Sequence, residues 1–318
     1  MNHTRIPRSR RPFRSTPDTE AYFPSSTHEA ALTALKSAFA DREAVALVDG
    51  DSGTGKTLIG LRFLESLPNA VPRVLIPSSR FSRPADLFQA MLFDFDAPYQ
   101  GLTEHELRLA ITERLLTEFA GGWPTVVVLD EAQHLGADLL EEIRLLGNLG
   151  TRSSKAAFVV LLTMPTLRER LIRPESASLA QRLAVRCHIE PLTSEESVAY
   201  LVHQLSASGM DAEDVLSEEA SVILAAQCRG VPRLLNQAAS VAFSLTTTAG
   251  EQTVDVEAVL EALSQLGLAE PTVEEPAVLP HPAKPVHEAE SREKTANSLA
   301  PSAEPRTGKA RGPKRRSA

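Results

Sequence analysis

One run of eight residues, Gly50-Asp51-Ser52-Gly53-Thr54-Gly55-Lys56-Thr57, constrains this chain more than any other stretch. It reads G-x-x-x-x-G-K-[ST]. The apolar run Ala44–Val48 precedes it, and Leu58, Ile59, Leu61 and Leu64 follow. An apolar strand therefore enters a glycine-rich turn that opens an amphipathic helix, which is the context a phosphate-binding loop requires. Glycines let successive backbone N–H groups converge on one point with no Cβ in the way. The helix N-terminus adds its partial positive charge at the same place. All eight residues are expected to line a nucleotide's phosphates. Lys56 would reach the β- and γ-phosphates, and the Thr57 hydroxyl would sit on a magnesium ion. A glycine turn before an ordinary helix is the plainer alternative, and the flanking strand and helix weigh against it.

The 318 residues suffice for one large domain or two modest ones with a real core. A hydrophobic share of 42% and a charged share of 23% fit a soluble globular chain. No stretch approaches the roughly 20 apolar residues needed to cross a bilayer. Ser9-Arg10-Arg11-Pro12-Phe13-Arg14 looks superficially like a twin-arginine export signal, but the polar Ser15–Glu20 follows where an apolar region is needed. The expectation is a cytoplasmic protein without an integral membrane segment. Cys187 and Cys228 form no ligand pattern and read as buried thiols of a reducing compartment. The histidines are scattered, so no structural metal is indicated. The net charge of −8 hides basic ends: Arg5, Arg8, Arg10, Arg11 and Arg14 at the start, and Arg306, Lys309, Arg311, Lys314, Arg315 and Arg316 at the finish. Such ends suit nucleic acid or acidic lipid, and equally suit solvated, disordered tails.

Residues 1–24 read as an extended basic segment with one anchored aromatic cluster, Phe13, Tyr22 and Phe23. A nucleotide-binding domain is expected over 25–192. It would begin with a helix over 28–40, capped by Ser26 or Thr27. Strands are expected at Ala44–Val48, Val74–Ile76, Thr125–Leu129 and Phe158–Leu162, and more weakly at Val185–Ile189; helices are expected around Ala85–Phe93 and Thr103–Phe119. Continuous β-branched runs alternating with helical stretches indicate an α/β parallel sheet covered on both faces. From 193 to 266 only helical periods occur, giving a small all-helical domain. Residues 267–318 are Pro/Ala-rich and basic, without aromatics, and are expected to be disordered.

A second signal is Val127-Val128-Leu129-Asp130-Glu131-Ala132-Gln133. A carboxylate at the C-terminal end of a buried strand lies beside the phosphate loop in such a sheet. Asp130 would hold magnesium through its water shell, and Glu131 would orient the water that attacks the γ-phosphate. An acidic pair capping the next helix is the alternative. Thr163, ending its strand, could touch the γ-phosphate or the attacking water, or simply start a turn. Arg182, just before the last strand, could reach a neighbouring subunit's γ-phosphate; Arg173 and Arg186 are rivals, and a surface ion pair is the alternative. Gly230-Val231-Pro232-Arg233 opens a helix and places Arg233 on its first turn, able to fold over the nucleotide or to serve as a surface group.

Gly50–Thr57, Asp130–Gln133, Thr163–Leu171, Arg182 and Gly230–Arg233 together resemble the Walker A, Walker B, sensor 1, arginine finger and sensor 2 motifs of an AAA+ ATPase. The likeness covers 11 to about 266 and is greatest to the general secretion pathway protein A (ExeA-like) ATPases, which are similar to the TniB/TnsC/MuB transposition ATPases. It implies a three-layer αβα P-loop fold of about five parallel strands with a helical lid. It also implies ATP and Mg2+ as ligands, ATP hydrolysis, and a homo-oligomer that acts on a macromolecular client. The alternative within the same resemblance is an ATP-gated helper on double-stranded DNA with slow hydrolysis. A P-loop kinase is a weaker third reading, because Asp130-Glu131 and the Gly-Val-Pro-Arg turn argue against it.

Overall fold

The fully apolar runs form the centre of a sheet, as strands covered on both faces must. In the computed structural model, residues 11–151, 154–173 and 177–269 are described. β1 (Val45–Gly50), β3 (Thr125–Leu129) and β4 (Ala157–Thr163) bury every residue. With β2 (Arg73–Ile76) and β5 (Leu183–Ile189) they make a five-stranded, wholly parallel sheet of order β2-β3-β4-β1-β5. The last strand starts two residues earlier than its sequence suggests. It is an edge strand that exposes Ala184, Arg186 and His188 in alternation, so it carries no continuous apolar run. At the other edge, the free Leu75 N–H donates to the Asp94 carboxylate at 3.0 Å.

Alternate side chains of the central strands enter opposite cores, as the pleat dictates. Val45, Leu47, Val127, Leu129, Val159 and Leu161 pack towards α3 (Pro84–Asp94), α4 (Glu104–Ala120), α5 (Ala137–Leu146), α6 (Pro165–Leu171) and the short α7 (Ala177–Ala180). Ala46, Val48, Val126, Val128, Phe158, Val160 and Leu162 pack towards α1 (Ser26–Ala40) and α2 (Lys56–Glu65). On this second face Phe63 lies 6.3 Å from Phe39 and 6.0 Å from Phe158, centroid to centroid. A phenylalanine buried in this way is worth on the order of 3–5 kcal/mol relative to alanine.

α8 (Ser194–Ala207), α9 (Ala212–Val215), α10 (Glu218–Gln227), α11 (Pro232–Ala249) and α12 (Val256–Gln265) follow the sheet. Leu201, Leu205, Leu224, Leu235, Ala238, Val259 and Leu263 form their common core. α8 begins with a reciprocal cap between Thr193 and Glu196. Among the described residues, no helix is long and apolar enough to cross a membrane. Both cysteines are free thiols; Cys228 is buried and Cys187 half-buried, and burial raises the pKa of each.

Two expectations about the N-terminal part need correction. α1 is capped by Ser25, not by Ser26 or Thr27, and the Ser25 hydroxyl goes to His28 Nδ1 rather than to a helix amide. The exposed N-terminus of α1 is served instead by Glu196, which accepts from the Ser26 N–H and hydroxyl, both at 2.9 Å. The three aromatics do not form one cluster either. Phe13 is buried in the helical core and Phe23 meets Tyr200 edge-on at 5.7 Å, whereas Tyr22 packs against the sheet core with the Arg62 guanidinium 5.1 Å from its ring. The segment passes from one core to another, so its anchors separate. The expected disordered tail from 270 onward, and the basic residues 1–10, lie outside the described residues.

Candidate functional site

β1 ends at Gly50, and residues 51–55 turn into α2, whose first residue is Lys56. The turn is held by its own atoms: the Thr54 hydroxyl donates to the Asp51 carbonyl at 2.9 Å, and Lys56 Nζ donates to the same oxygen at 2.6 Å. Burial lowers the Lys56 pKa, while the negative charges of Asp130, Glu131 and Asp51 raise it. Gly55 has φ 101°, and a Cβ there would fall 2.5 Å from His28 Nε2. Glycine is needed here both for conformation and for that approach. The approach is a contact the sequence did not suggest. His28 Nε2 lies 2.9 Å from the Thr54 carbonyl and Nδ1 lies 2.5 Å from the Ser25 hydroxyl. A carbonyl only accepts, so Nε2 carries the proton, and a neutral imidazole satisfies both contacts.

β4 lies between β1 and β3 in the sheet, with Asp49 paired to Thr163 and Leu129 to Leu161. The residues after these three strands therefore meet at one edge. Thr57 Oγ1 donates to Asp130 Oδ2 at 2.5 Å across that edge. Asp130 Oδ1 accepts from the Glu131 N–H at 2.8 Å, and its carbonyl accepts from Ser79 N and Oγ at 3.0 and 2.6 Å. Burial raises the Asp130 pKa, and the Thr57 hydrogen bond, the Glu131 N–H and the Lys56 charge oppose that shift. Glu131 sits at φ 56°, a left-handed conformation uncommon outside glycine. It caps no helix with its side chain, which instead accepts from Gln133 Nε2.

Thr163 is fully buried; its hydroxyl lies 3.1 Å from the Met164 carbonyl and 3.3 Å from Gln133 Oε1. Arg233 comes from the first turn of α11: its N–H donates to the Gly53 carbonyl and its guanidinium to Ser52 Oγ, both at 3.3 Å. Gly230 sets up that turn at φ 69°, since a Cβ there would lie 1.9 Å from the Leu192 carbonyl. The Arg182 side chain is exposed, has no partner among the described residues and does not line the cavity of its own chain. Of its rivals, Arg173 is also exposed and Arg186 donates to the Ala180 carbonyl at 2.7 Å.

Lys56, Thr57, Asp130, Glu131 and Arg233 line one cavity of about 260 Å³. More of its wall comes from residues 14–18, Glu20 and Ala21 of the N-terminal segment and from Tyr200, Gln204 and Asn236 of the helical cluster. Gln204 and Asn236 hold that segment by its carbonyls, donating to Ala21 at 2.9 Å and Arg14 at 2.8 Å. No spacing rule flags such residues. A buried carboxylate beneath the loop was also missed: Asp49 lies 2.7 Å from His188 Nδ1 and 3.2 Å from Arg168 Nη1. A charge inside the apolar β1 run was its only signal.

The donor set at the edge consists of a hydroxyl and a carboxylate, which suits a hard cation such as Mg2+ that keeps waters and phosphate oxygens as its other ligands. Among the described residues no group of three or more His, Cys, Asp or Glu is placed to hold a metal by protein atoms alone. Thr57 and Asp130 thus fit an ion that arrives with a nucleotide.

Residues 40–171 match the AAA domain family model. Over 228 residues, 71% of the chain, it is 33% identical to General secretion pathway protein A of Aeromonas hydrophila, of whose length it spans 41%. It is 26% identical over 231 residues to the ATP-dependent target DNA activator B of Escherichia phage D108, covering 71% of the chain and 67% of that protein. Among solved structures it is similar to the Aeropyrum pernix ORC2 protein, with TM-score 0.63, 15% identity and coverage of 77% and 70% of the two chains. Cdc6p of Pyrobaculum aerophilum gives TM-score 0.62, 18% identity and coverage of 78% and 71%. Residues 40–171 thus resemble an AAA domain, the sheet and its flanking helices have the AAA+ P-loop fold, and the chain resembles both sequence relatives.

The His28 contact has a consequence in acid. Burial holds its imidazole below the ordinary value of 6.5. The unfolded chain takes up that proton near pH 6.5 and the folded chain does not, so this group's contribution to stability is intact above that pH and falls as the pH drops below it. His28→Gln should lose less stability than the parent between about pH 7.5 and 5.5 in urea denaturation. Equal losses would contradict a buried neutral His28.

Proposed function

We propose that this chain binds ATP with Mg2+ between the C-terminal edge of the sheet and the helical cluster, and that it hydrolyses the nucleotide. The nucleotide state would govern self-assembly and the recruitment or remodelling of a macromolecular partner. One observation carries the reading: Lys56 and Thr57 on one side and Asp130 and Glu131 on the other line a single cavity. Residues 25–192 act as the nucleotide-binding domain, and 193–266 as a lid. Two free cysteines favour a reducing compartment such as the cytoplasm.

The loop amides of residues 50–57 and the Lys56 ammonium bind the β- and γ-phosphates. Mg2+, when bound, neutralises charge on those oxygens, and Thr57 and Asp130 are the residues that hold it. Glu131 orients the attacking water and takes its proton. Thr163 ends β4 between β1 and β3, buried behind the cavity lining, and would reach the γ-phosphate or that water by turning its hydroxyl away from Gln133 and Met164. Arg233 couples the same site to α11, because its backbone already rests on Gly53. Arg182 faces outward without a partner among the described residues, which suits a guanidinium that completes the site of a neighbouring copy.

A second reading is favoured by the likeness to the phage activator, whose name states that it is ATP-dependent and acts on target DNA. In that reading the chain is an ATP-gated scaffold on double-stranded DNA, with slow hydrolysis.

Three measurements follow. Glu131→Gln should keep nucleotide affinity and lose turnover by about 10²–10⁴-fold; normal turnover would remove Glu131 from the mechanism. Arg182→Ala should lose about 10³–10⁵-fold, and mixing it with Lys56→Ala should restore activity, since each copy supplies what the other lacks. No recovery on mixing would rule out action in trans. For the second reading, DNA affinity with ATP present should fall by about 10³-fold or more between roughly 50 and 200 mM salt; absence of ATP-dependent binding would exclude it.

A further inference from the structure

Gln133 joins three groups of the site, and no role given above uses it. Its Nε2 donates to the Glu131 carboxylate. Its Oε1 accepts from the Met164 N–H at 3.2 Å and lies 3.3 Å from the Thr163 hydroxyl, which shares its one proton between Oε1 and the Met164 carbonyl at 3.1 Å. The orientation of the amide follows from chemistry: a backbone N–H can only donate and an ionised carboxylate can only accept, so the oxygen must face Met164 and the nitrogen Glu131. The backbone around Gln133 is fixed as well. Arg170 on α6 donates to the Gln133 carbonyl at 3.1 Å and to the Leu135 carbonyl at 2.8 Å. The β4–α6 segment, from Thr163 through Met164 to Arg170, therefore grips Gln133 by side chain and main chain together.

We infer that Gln133 is a positioning residue that couples the strand-end hydroxyl of Thr163 to the carboxylate of Glu131. Its planar amide cannot turn to leave one partner without leaving the others. When the Thr163 hydroxyl turns towards a γ-phosphate, Gln133 Oε1 keeps only Met164, and the hold on Glu131 changes with it. The carboxylate that orients water is then set by what Thr163 touches. Glu131 needs such a hold, because its backbone is in the left-handed region and its side chain is about half exposed, at 52%. A displacement of about 1 Å at such a group costs on the order of 10²-fold in rate.

This inference rests on the ATP-hydrolysis reading. The test compares Gln133→Glu and Gln133→Ala with the parent, each with Mg2+ and ATP, measuring kcat and nucleotide affinity separately. The glutamate keeps an acceptor for Met164 and Thr163 but has no donor for Glu131. Gln133→Glu should therefore lose about 10²-fold in kcat, with nucleotide affinity unchanged. Gln133→Ala should show the same split, and it carries the test if the glutamate variant does not fold. If the parent turns ATP over, Glu131→Gln does not, and both Gln133 variants match the parent in kcat, the coupling is wrong while the hydrolysis reading stands. A parent without turnover overturns both.

Discussion

Two opposite charges are driven into one crevice, where Asp130 helps to hold the Lys56 charge and the Thr57 hydroxyl, the Glu131 N–H and Lys56 help to hold that of Asp130. Burial pushes Lys56 towards its neutral form and Asp130 towards its protonated form, and the attraction between them opposes both shifts. The arrangement requires β1 and β3 to run parallel with one strand between them, which the order β3-β4-β1 supplies. The apolar pleat of those strands, filling a core on each face, holds the crevice open at their ends. The site is thus a property of the sheet, and its two charged rims cannot be moved independently.

Around that crevice the chain builds a second layer of polar contacts that tie distant elements together. The N-terminal segment is gripped by Asn236 and Gln204 of the helical cluster, and α1, which follows it, is gripped by Glu196. α1 in turn carries His28, which supports the Thr54 carbonyl of the phosphate loop. On the other side, α6 sends Arg170 to the turn that carries Glu131, and Arg168 to Asp49 beneath the loop. Asp49 is buried and Arg168 only partly so, and removing Arg168 would leave a buried carboxylate with His188 as its remaining side-chain partner. One side ends on the Thr54 carbonyl and the other on the Gln133 and Leu135 carbonyls. Under the proposed function, a change of nucleotide state at the loop would have two routes outward, one to α11 through Arg233 and one to β4 through Gln133 and Thr163.

The parts legible in the sequence were those whose physics is local. A glycine-rich turn between an apolar strand and a helix, and a carboxylate ending a β-branched run, declare their neighbours within a few residues. The edge strand β5 was half hidden, because one of its faces is polar and its pattern is broken by Arg186 and His188. His28 carried no sign of a site residue, and Gln133, though it closes the Asp130–Gln133 stretch, carried no sign of its contacts: both gain meaning from partners that lie 26 and 30 residues away, Thr54 and Thr163. The aromatic anchors of the N-terminal segment look like one cluster in the sequence because they are close in number. They separate in space because the segment bridges two cores.

The central claim is that the two rims of the crevice share a metal-bound triphosphate. It is tested most directly by titrating the purified chain with a non-hydrolysable ATP analogue in a calorimeter, with magnesium present and with the ion chelated. The account predicts saturable binding at one site per chain that weakens markedly when magnesium is removed. Binding that is indifferent to magnesium, or no binding at all, would contradict it.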